Sequence, residues 1–543
     1  MEKGNKKTIK GWVFYDWANS VYPLIISSAI FPIMYEKLTS IKDDKTGITV
    51  YDTISFFGME FKNTEFYAYL VSMSYLAVAL VTPLLSGIAD SSGQKKRFLQ
   101  FFCFLGAISS GLLFFFHPDN GGVEYTPFKI GLTILPLFFA SFGYWGSLVY
   151  YNSYLPEIAE PSEHDAISAK GFSMGYLGSS LLLIVILVLT QFTKLMPIKF
   201  AFPMVGAWWI IFAFYTFNKL PKIAAKPVHK EGVIKSGFKE LALVWKDIKT
   251  RIRLKRFLAS YFMFNMAVQT VMIMATAFAN KEIIGIQTKD LIVSILIIQF
   301  LGIGGSFLFS KISSKIGNIK ALAIAISIWI FLCVFVYFVV YKPWQFYIAA
   351  AIVGLVMGGI QALARSTYSK MLPETEDNTS YFSFFDVSEK IGLAIGTFSF
   401  GIIESIADIR TSVIALVAFF LIGLILLFRV PKEIYSGEKL KLINIKIEEE
   451  KTKASINDSI WKEVRKGVIL FSVIHFLFEI FILNPKTAVL AVVFNFFISR
   501  WYIKRQIEKG NKKNDLLLMG LSVSGIVFLI RLFLGFVLYL ILL

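Results

Sequence analysis

Charge is what this chain of 543 residues has least of, with 17% Asp, Glu, Lys and Arg against about a quarter in soluble domains. Cysteine is nearly absent. Cys103 and Cys333 both lie inside apolar runs, which excludes a disulfide framework and a Cys-based zinc site. The four histidines show no metal-ligand spacing. No GxxxxGK followed by Ser or Thr occurs, which argues against ATP hydrolysis, and there is no HExxH or recognisable Ser/His/Asp set. Apolar residues fill the chain: 56% is hydrophobic, 54 residues are Phe, and the mean hydropathy is +0.64. That is too apolar for disorder and marks an integral membrane protein. A net charge of +18 would otherwise suggest nucleic acid, but no basic patch with interleaved aromatics outweighs the apolar spans, so no nucleic-acid partner is expected.

A bilayer core of about 30 Å takes about 20 apolar residues per helix. Fifteen such runs occur, near 12–36, 66–88, 98–117, 128–152, 170–193, 199–217, 257–280, 290–310, 320–341, 344–368, 381–406, 411–429, 467–484, 486–503 and 516–542. The basic start MEKGNKKTIK resembles the head of a signal peptide. The run after it holds Asp16 and Asn19, is too long and has no small-residue cleavage site, so it is read as the first span. With the N-terminus cytoplasmic, 41 of the 55 Lys and Arg fall inside and 12 outside. The positive-inside bias therefore predicts that orientation, with the C-terminus outside. Segments 218–256 and 431–466 then become cytoplasmic linkers. In the first, Phe238, Leu241, Trp245, Ile248 and Ile252 recur at helical spacing opposite lysines. This predicts an amphipathic helix, either lying on the anionic inner leaflet or solvated.

The first twelve spans divide into two sixes, 1–217 and 257–430. Leu155-Pro156-Glu157 and Leu372-Pro373-Glu374 end spans 4 and 10, 217 residues apart, and each proline is followed nineteen residues later by glycine, Gly175 and Gly392. GIADSSGQKKR in the 2–3 loop aligns with KISSKIGNIK in the 8–9 loop, and YDWAN with YFMFN, which end at Asn19 and Asn265. Parallel halves related by an axis along the membrane normal are an architecture of secondary transporters. Polar stripes occur in the first helix of each three-helix unit: Asp16, Asn19 and Tyr22 in span 1; Ser147, Tyr151 and Tyr154 in span 4; Asn265 and Gln269 in span 7; Gln361, Arg365 and Tyr368 in span 10. Polar side chains are costly in lipid, so four stripes at matching places are read as facing a wet pathway.

GIADSSGQKKR, with Gly87, Asp90, Gly93, Lys95 and Arg97, resembles the 2–3 loop signature of the major facilitator superfamily. FYDWANSVYPLII, LPEIA, SAKGFSMGYLGS, GGIQALARSTYSKMLPE and YFSFFDVSEKIGLAIG, in that order, resemble its vacuole-effluxer-like branch, which includes a fungal autophagy-related effluxer of amino acids. The resemblance covers about 1–430. It implies an all-α bundle of six plus six helices that moves a small-molecule substrate such as an amino acid by alternating access; no cofactor is expected, and a proton gradient is one candidate energy source. A bacterial cytoplasmic membrane and a monomer are expected. In this resemblance Asp90 meets the start of span 11, which carries Asp386, Glu389 and Lys390, and holds the cytoplasmic side shut; Lys95, Lys96 and Arg97 would hold the loop at the inner surface. Ser314 stands where the second half would carry that acid.

Asp386 and Lys390 are i, i+4 and can pair. With Glu389, Asp16 and Arg365 they put five charges near one depth, most simply a matched cluster. They are expected to form the gate, with Arg365 also open to a substrate carboxylate. Carboxylates that could carry a coupling proton are Asp16, Asp386, Glu389 and Glu404. Residues 467–543 are expected to form an accessory membrane module of about three helices; the rival reading makes them a membrane enzyme or lipid scramblase, in which His475 and Glu479 are i, i+4 and Arg531 lies within a span.

Overall fold

A computed structural model describes residues 3–42, 49–121, 126–221, 233–375 and 377–431. The linker 432–466, the three expected spans beyond it, and His475, Glu479 and Arg531 lie outside the described residues.

All twelve expected spans within that range are helical. The first is α1 (Lys6–Asn19), a π-helical stretch Tyr22–Ala29 that begins around Pro23, and α2 (Phe31–Leu38). Sequence reading predicts one continuous span here. The proline removes a backbone donor, and the wider turn re-registers the helix beside the polar residues of α1. The Asn5 side chain caps α1 by accepting from the amides of Lys7 and Thr8. There follow α3 (Asn63–Ser92), α4 (Lys95–Leu112), α5 (Leu135–Ser153), the short α6 (Leu155–Ile158), α7 (His164–Leu187) and α8 (Ala201–Lys219). After the linker helix α9 (Val233–Thr250) come α10 (Ile252–Glu282), α11 (Thr288–Ile316), α12 (Asn318–Val339), α13 (Pro343–Met371), α14 (Asn378–Ile406) and α15 (Ile409–Phe428). Among the described residues, eleven helices are long and apolar enough to cross a membrane. The twelfth, α14, carries Asp386, Glu389 and Lys390 within two turns.

α1 to α8 share one apolar core and α10 to α15 another. The halves meet where α3 and α5 pack on α14, and where α7 packs on α11 and α13. Small residues set these distances: Gly143 lies on Gly106 within the first half, and Gly358 on Gly302 within the second. At the α3–α4 turn Gly93 has φ +68°, a left-handed conformation that ends α3 and suits glycine.

Two features depart from an all-helical reading. The loops before α3 and α5 form short strands, β1 (Ile41–Lys42), β2 (Thr49–Tyr51), β3 (Thr53–Phe56), β4 (Met59–Lys62), β5 (Pro118–Asp119) and β6 (Phe128–Ile130). β4-β3-β6-β5 make one sheet at the end of the bundle opposite α9, with β3 and β6 parallel. The linker helix is the second. Instead of lying only on a leaflet or in solvent, α9 docks on α3 with Gly237 against it and Val244 and Ile248 buried, and reaches α14 through Trp245 and Asp247.

Candidate functional site at the junction of the halves

α1 lies against α7 because α7 offers Gly171, Gly175 and Gly178 at i, i+4 and i+7. A Cβ at these positions would overlap the Asp16 carboxylate, Ser20 and Trp17 respectively. This close approach sets Asp16 opposite Arg365 of α13. The Asp16 carboxylate accepts from Arg365 Nη1 and Nη2 at 3.3 and 3.2 Å and from the Tyr151 hydroxyl at 2.7 Å. The two charged side chains are 7% and 4% exposed. Arg365 also donates to Ser168 Oγ and carbonyl at 2.9 and 3.0 Å and to Asn152 at 3.3 Å. Its guanidinium lies 4.2 Å from the Phe172 ring and 4.8 Å from Trp12. A charge buried this deeply is tolerable only with such complete pairing. Asp16 belongs to one half and Arg365 to the other, so the pair ties them together.

Lys390 is 2.9 Å from Asp386, 3.7 Å from Glu389 and 3.6 Å above the Trp145 ring. Gln269 donates to Glu389 at 2.7 Å, and the rings of Tyr22, Tyr144 and Trp145 follow one another at 4.9 Å. The five expected charges thus separate into two clusters, since among the described residues no ion pair joins Asp16 and Arg365 to Asp386, Glu389 and Lys390. Glu404 pairs with Lys281 at the opposite end of α14. Gln361 accepts from Tyr176 at 3.0 Å. Asn19 and Asn265, at matching places in α1 and α10, are buried, with amide nitrogens that find no partner among the described residues. Buried donors are normally satisfied, so these two are candidates for bonding a polar solute.

At the end nearest α9, Asp90 does not meet Asp386 or Lys390. Its carboxylate accepts from the Ser380 amide at 2.7 Å, in the first turn of α14, where free amides and the helix dipole favour an anion. Asp386 and Lys390 sit deeper, beyond its reach. Lys95 is buried rather than held at a surface, pairs with Glu157 and lies 4.3 Å above the Tyr154 ring. Glu157 also accepts from Asn378 at 3.1 Å. Arg97 is exposed and bonds Gln94, outside this contact.

The matching junction on the other side was not foreseen. Asp165 of α7 accepts from Ser313 Oγ at 2.8 Å, from Asn318 at 2.7 Å and from Lys370 at 2.7 Å. Ser314 bonds only its own helix, at the Lys311 carbonyl. The contact therefore has inverted polarity. In the first half the loop supplies the acid and the facing helix the donor; in the second the loop supplies donors and the facing helix the acid. The sequence signal was the acid-poor 8–9 loop together with Asp165 at the start of span 5.

Residues 4–435 match the family model described as vacuole effluxer Atg22 like. The chain is 27% identical over 452 residues to an uncharacterized MFS-type transporter, YxiO, of Bacillus subtilis, covering 80% of this chain and 97% of that one. It is 24% identical over 437 residues to autophagy-related protein 22 of Yarrowia lipolytica, covering 64% and 72%. Its fold is similar to the human organic anion transporter MFSD10, with TM-score 0.54, 11% identity and coverage of 78% and 98%. It is likewise similar to the Escherichia coli fucose:proton symporter FucP, with TM-score 0.53, 16% identity and coverage of 79% and 98%. The chain belongs to the Atg22-like vacuole-effluxer family, a branch of the major facilitator superfamily of membrane transporters.

Proposed function

We propose that this transporter moves a small zwitterionic solute of the amino-acid class by alternating access across a bacterial cytoplasmic membrane, as a monomer, with the α9 end of the bundle on the cytoplasmic side. The observation that carries this reading is the buried Asp16–Arg365 pair between the halves. A solute with one carboxylate and one ammonium can replace each partner in turn, the carboxylate at Arg365 and the ammonium at Asp16. The bridge between the halves would then be exchanged for bonds to solute, and the halves freed to rock. Asn19, Asn265 and Gln361 would contribute further bonds, and the tyrosines around the junction a polar but water-poor wall.

A proton gradient would drive uphill movement through Glu389 or Asp386, which share Lys390; protonating either releases the lysine for the other. A thermal-shift screen of the purified protein against amino acids, their amides and decarboxylated amines, and sugars tests the solute class. Stabilisation by amino acids, lost when either charged group is removed from the ligand, is expected. Stabilisation by sugars alone would overturn it. In proteoliposomes, Glu389→Gln or Asp386→Asn should abolish uphill movement and leave exchange; unchanged uphill transport in both removes them from coupling.

A further inference from the structure

The linker helix α9 has more apolar surface than the bundle covers. Gly237, Val244 and Ile248 form its buried stripe, at i, i+7 and i+11. Gly237 lies so close to Gly87 of α3 that a Cβ on either glycine would overlap the other helix. Gly87 is three residues before Asp90. Beside that stripe the helix reaches α14: the Trp245 ring stacks on Phe384 at 5.2 Å, and the Tyr381 hydroxyl donates to Asp247, which also pairs with Arg251 at 2.5 Å. Tyr381 directly follows Ser380, the donor to Asp90. α9 therefore packs beside both members of the Asp90 contact, on residues one to three positions away in each half.

Next to that stripe Phe238 is 57% exposed and Trp245 46% exposed. Beyond them, around the outer face, are the exposed Lys239, Lys246 and Lys249, with Lys249 4.8 Å above the Trp245 ring. After Arg251 the chain enters the membrane helix α10, so α9 is held at the level of the bilayer surface. Aromatic side chains flanked by lysines at that level match an anionic interface, with rings among the upper acyl chains and ammonium groups among phosphates.

We propose that α9 is a strap across the cytoplasmic gate whose outer face binds anionic phospholipid of the inner leaflet, so that anionic lipid favours the closed gate. A lipid that binds the docked helix better than the released one shifts the equilibrium by that difference alone. The inference rests on the gate reading above. Its readout needs no transported solute, so its failure leaves the solute reading untouched.

The full chain, with Cys103 and Cys333 replaced by Ser and the single substitution Ser369→Cys, is placed in nanodiscs of phosphatidylcholine alone or with added phosphatidylglycerol. Ser369 is buried at the gate end of α13, so maleimide labelling there reports opening. Phosphatidylglycerol should slow labelling about fivefold or more, the scale of one or more lysines engaging an anionic surface. Lys239→Gln, Lys246→Gln and Lys249→Gln together should remove the difference without changing the phosphatidylcholine rate. Gly237→Leu should raise labelling in both lipids by undocking α9. Equal rates for the Ser369→Cys protein in both lipids would overturn the proposal, as would a lipid effect that survives the triple substitution.

Discussion

Removing the Asp16 carboxylate is the most informative perturbation of the centre. Asp16→Ala takes away the acceptor for two Arg365 nitrogens and the Tyr151 hydroxyl and leaves a buried guanidinium without a counter-charge. Such losses cost about 3–5 kcal/mol. Arg365 retains Ser168, Asn152 and its aromatic neighbours, so the lower end, about 3 kcal/mol, is expected here. Arg365→Met removes the guanidinium and leaves an unpaired carboxylate, at a similar cost. With both replaced neither charge is stranded, and the double variant should be less destabilised than the sum by about 2–3 kcal/mol, a coupling within the range for contacting residues. Denaturant unfolding of the four proteins in one detergent measures this cycle. A coupling below about 0.5 kcal/mol, the level of independent sites, would refute the pairing and the role built on it.

Gly171→Ala would drive a methyl group into the Asp16 carboxylate; overpacking of this kind costs about 1–3 kcal/mol, and thermal unfolding should show the loss, whereas an unchanged midpoint would contradict the close approach of α1 and α7. Asp90→Asn and Asp165→Asn should each raise maleimide labelling of a Ser369→Cys protein, because each weakens one bridge between the halves, and Asp165→Asn should do so although no family signature marks it. At Asp247, outside the membrane, partial burial raises the carboxyl pKa, but hydrogen bonds from Arg251 and Tyr381 outweigh it and hold it below the ordinary value. Its stabilising contribution is therefore complete above the unfolded value of about 3.9 and fades only as pH falls through the lower folded value. Hydrogen exchange in α9, corrected for intrinsic rates, should be unchanged between pH 7 and 5; loss of protection in that interval would show that another group controls docking.

The helical spans were legible because a stretch of about 20 apolar residues has few other uses. The junction was legible only in part. The sequence places Asp16, Tyr151 and Arg365 on stripes of spans 1, 4 and 10, but joining span 1 to span 10 depends on the three glycines of α7, of which only Gly175 stands out in the repeat. Asp90 was assigned to the start of span 11, yet the atom it meets is a backbone amide, and backbone donors leave no trace in residue types; the nearby charged Asp386 and Lys390 drew the reading inward. Asp165 was missed because aligning loop with loop looks for the same acid in the same place, whereas the second junction keeps its complementarity with the charge moved across the contact. The β3–β4 hairpin escaped notice because TISF and MEFK are too short to carry a strong alternation. The docked face of α9 shared its period with the exposed face, so periodicity alone could not divide Ile248, which is buried, from Phe238 and Trp245, which are not.

The central claim is that solute moves only when the junction at the α9 end opens and closes. Ser153 of α5 and Thr379 of α14 face each other there, their hydroxyl oxygens 3.3 Å apart, which makes them the pair to cross-link after substitution by cysteine. Proteoliposomes carrying Ser153→Cys with Thr379→Cys, and Cys103 and Cys333 replaced by Ser, are loaded with a radiolabelled amino-acid mixture, and exchange is followed before oxidation, after oxidation and after reduction. The account requires exchange to stop on oxidation, in proportion to the cross-linked fraction, and to return on reduction. Undiminished exchange through a fully cross-linked protein would contradict it.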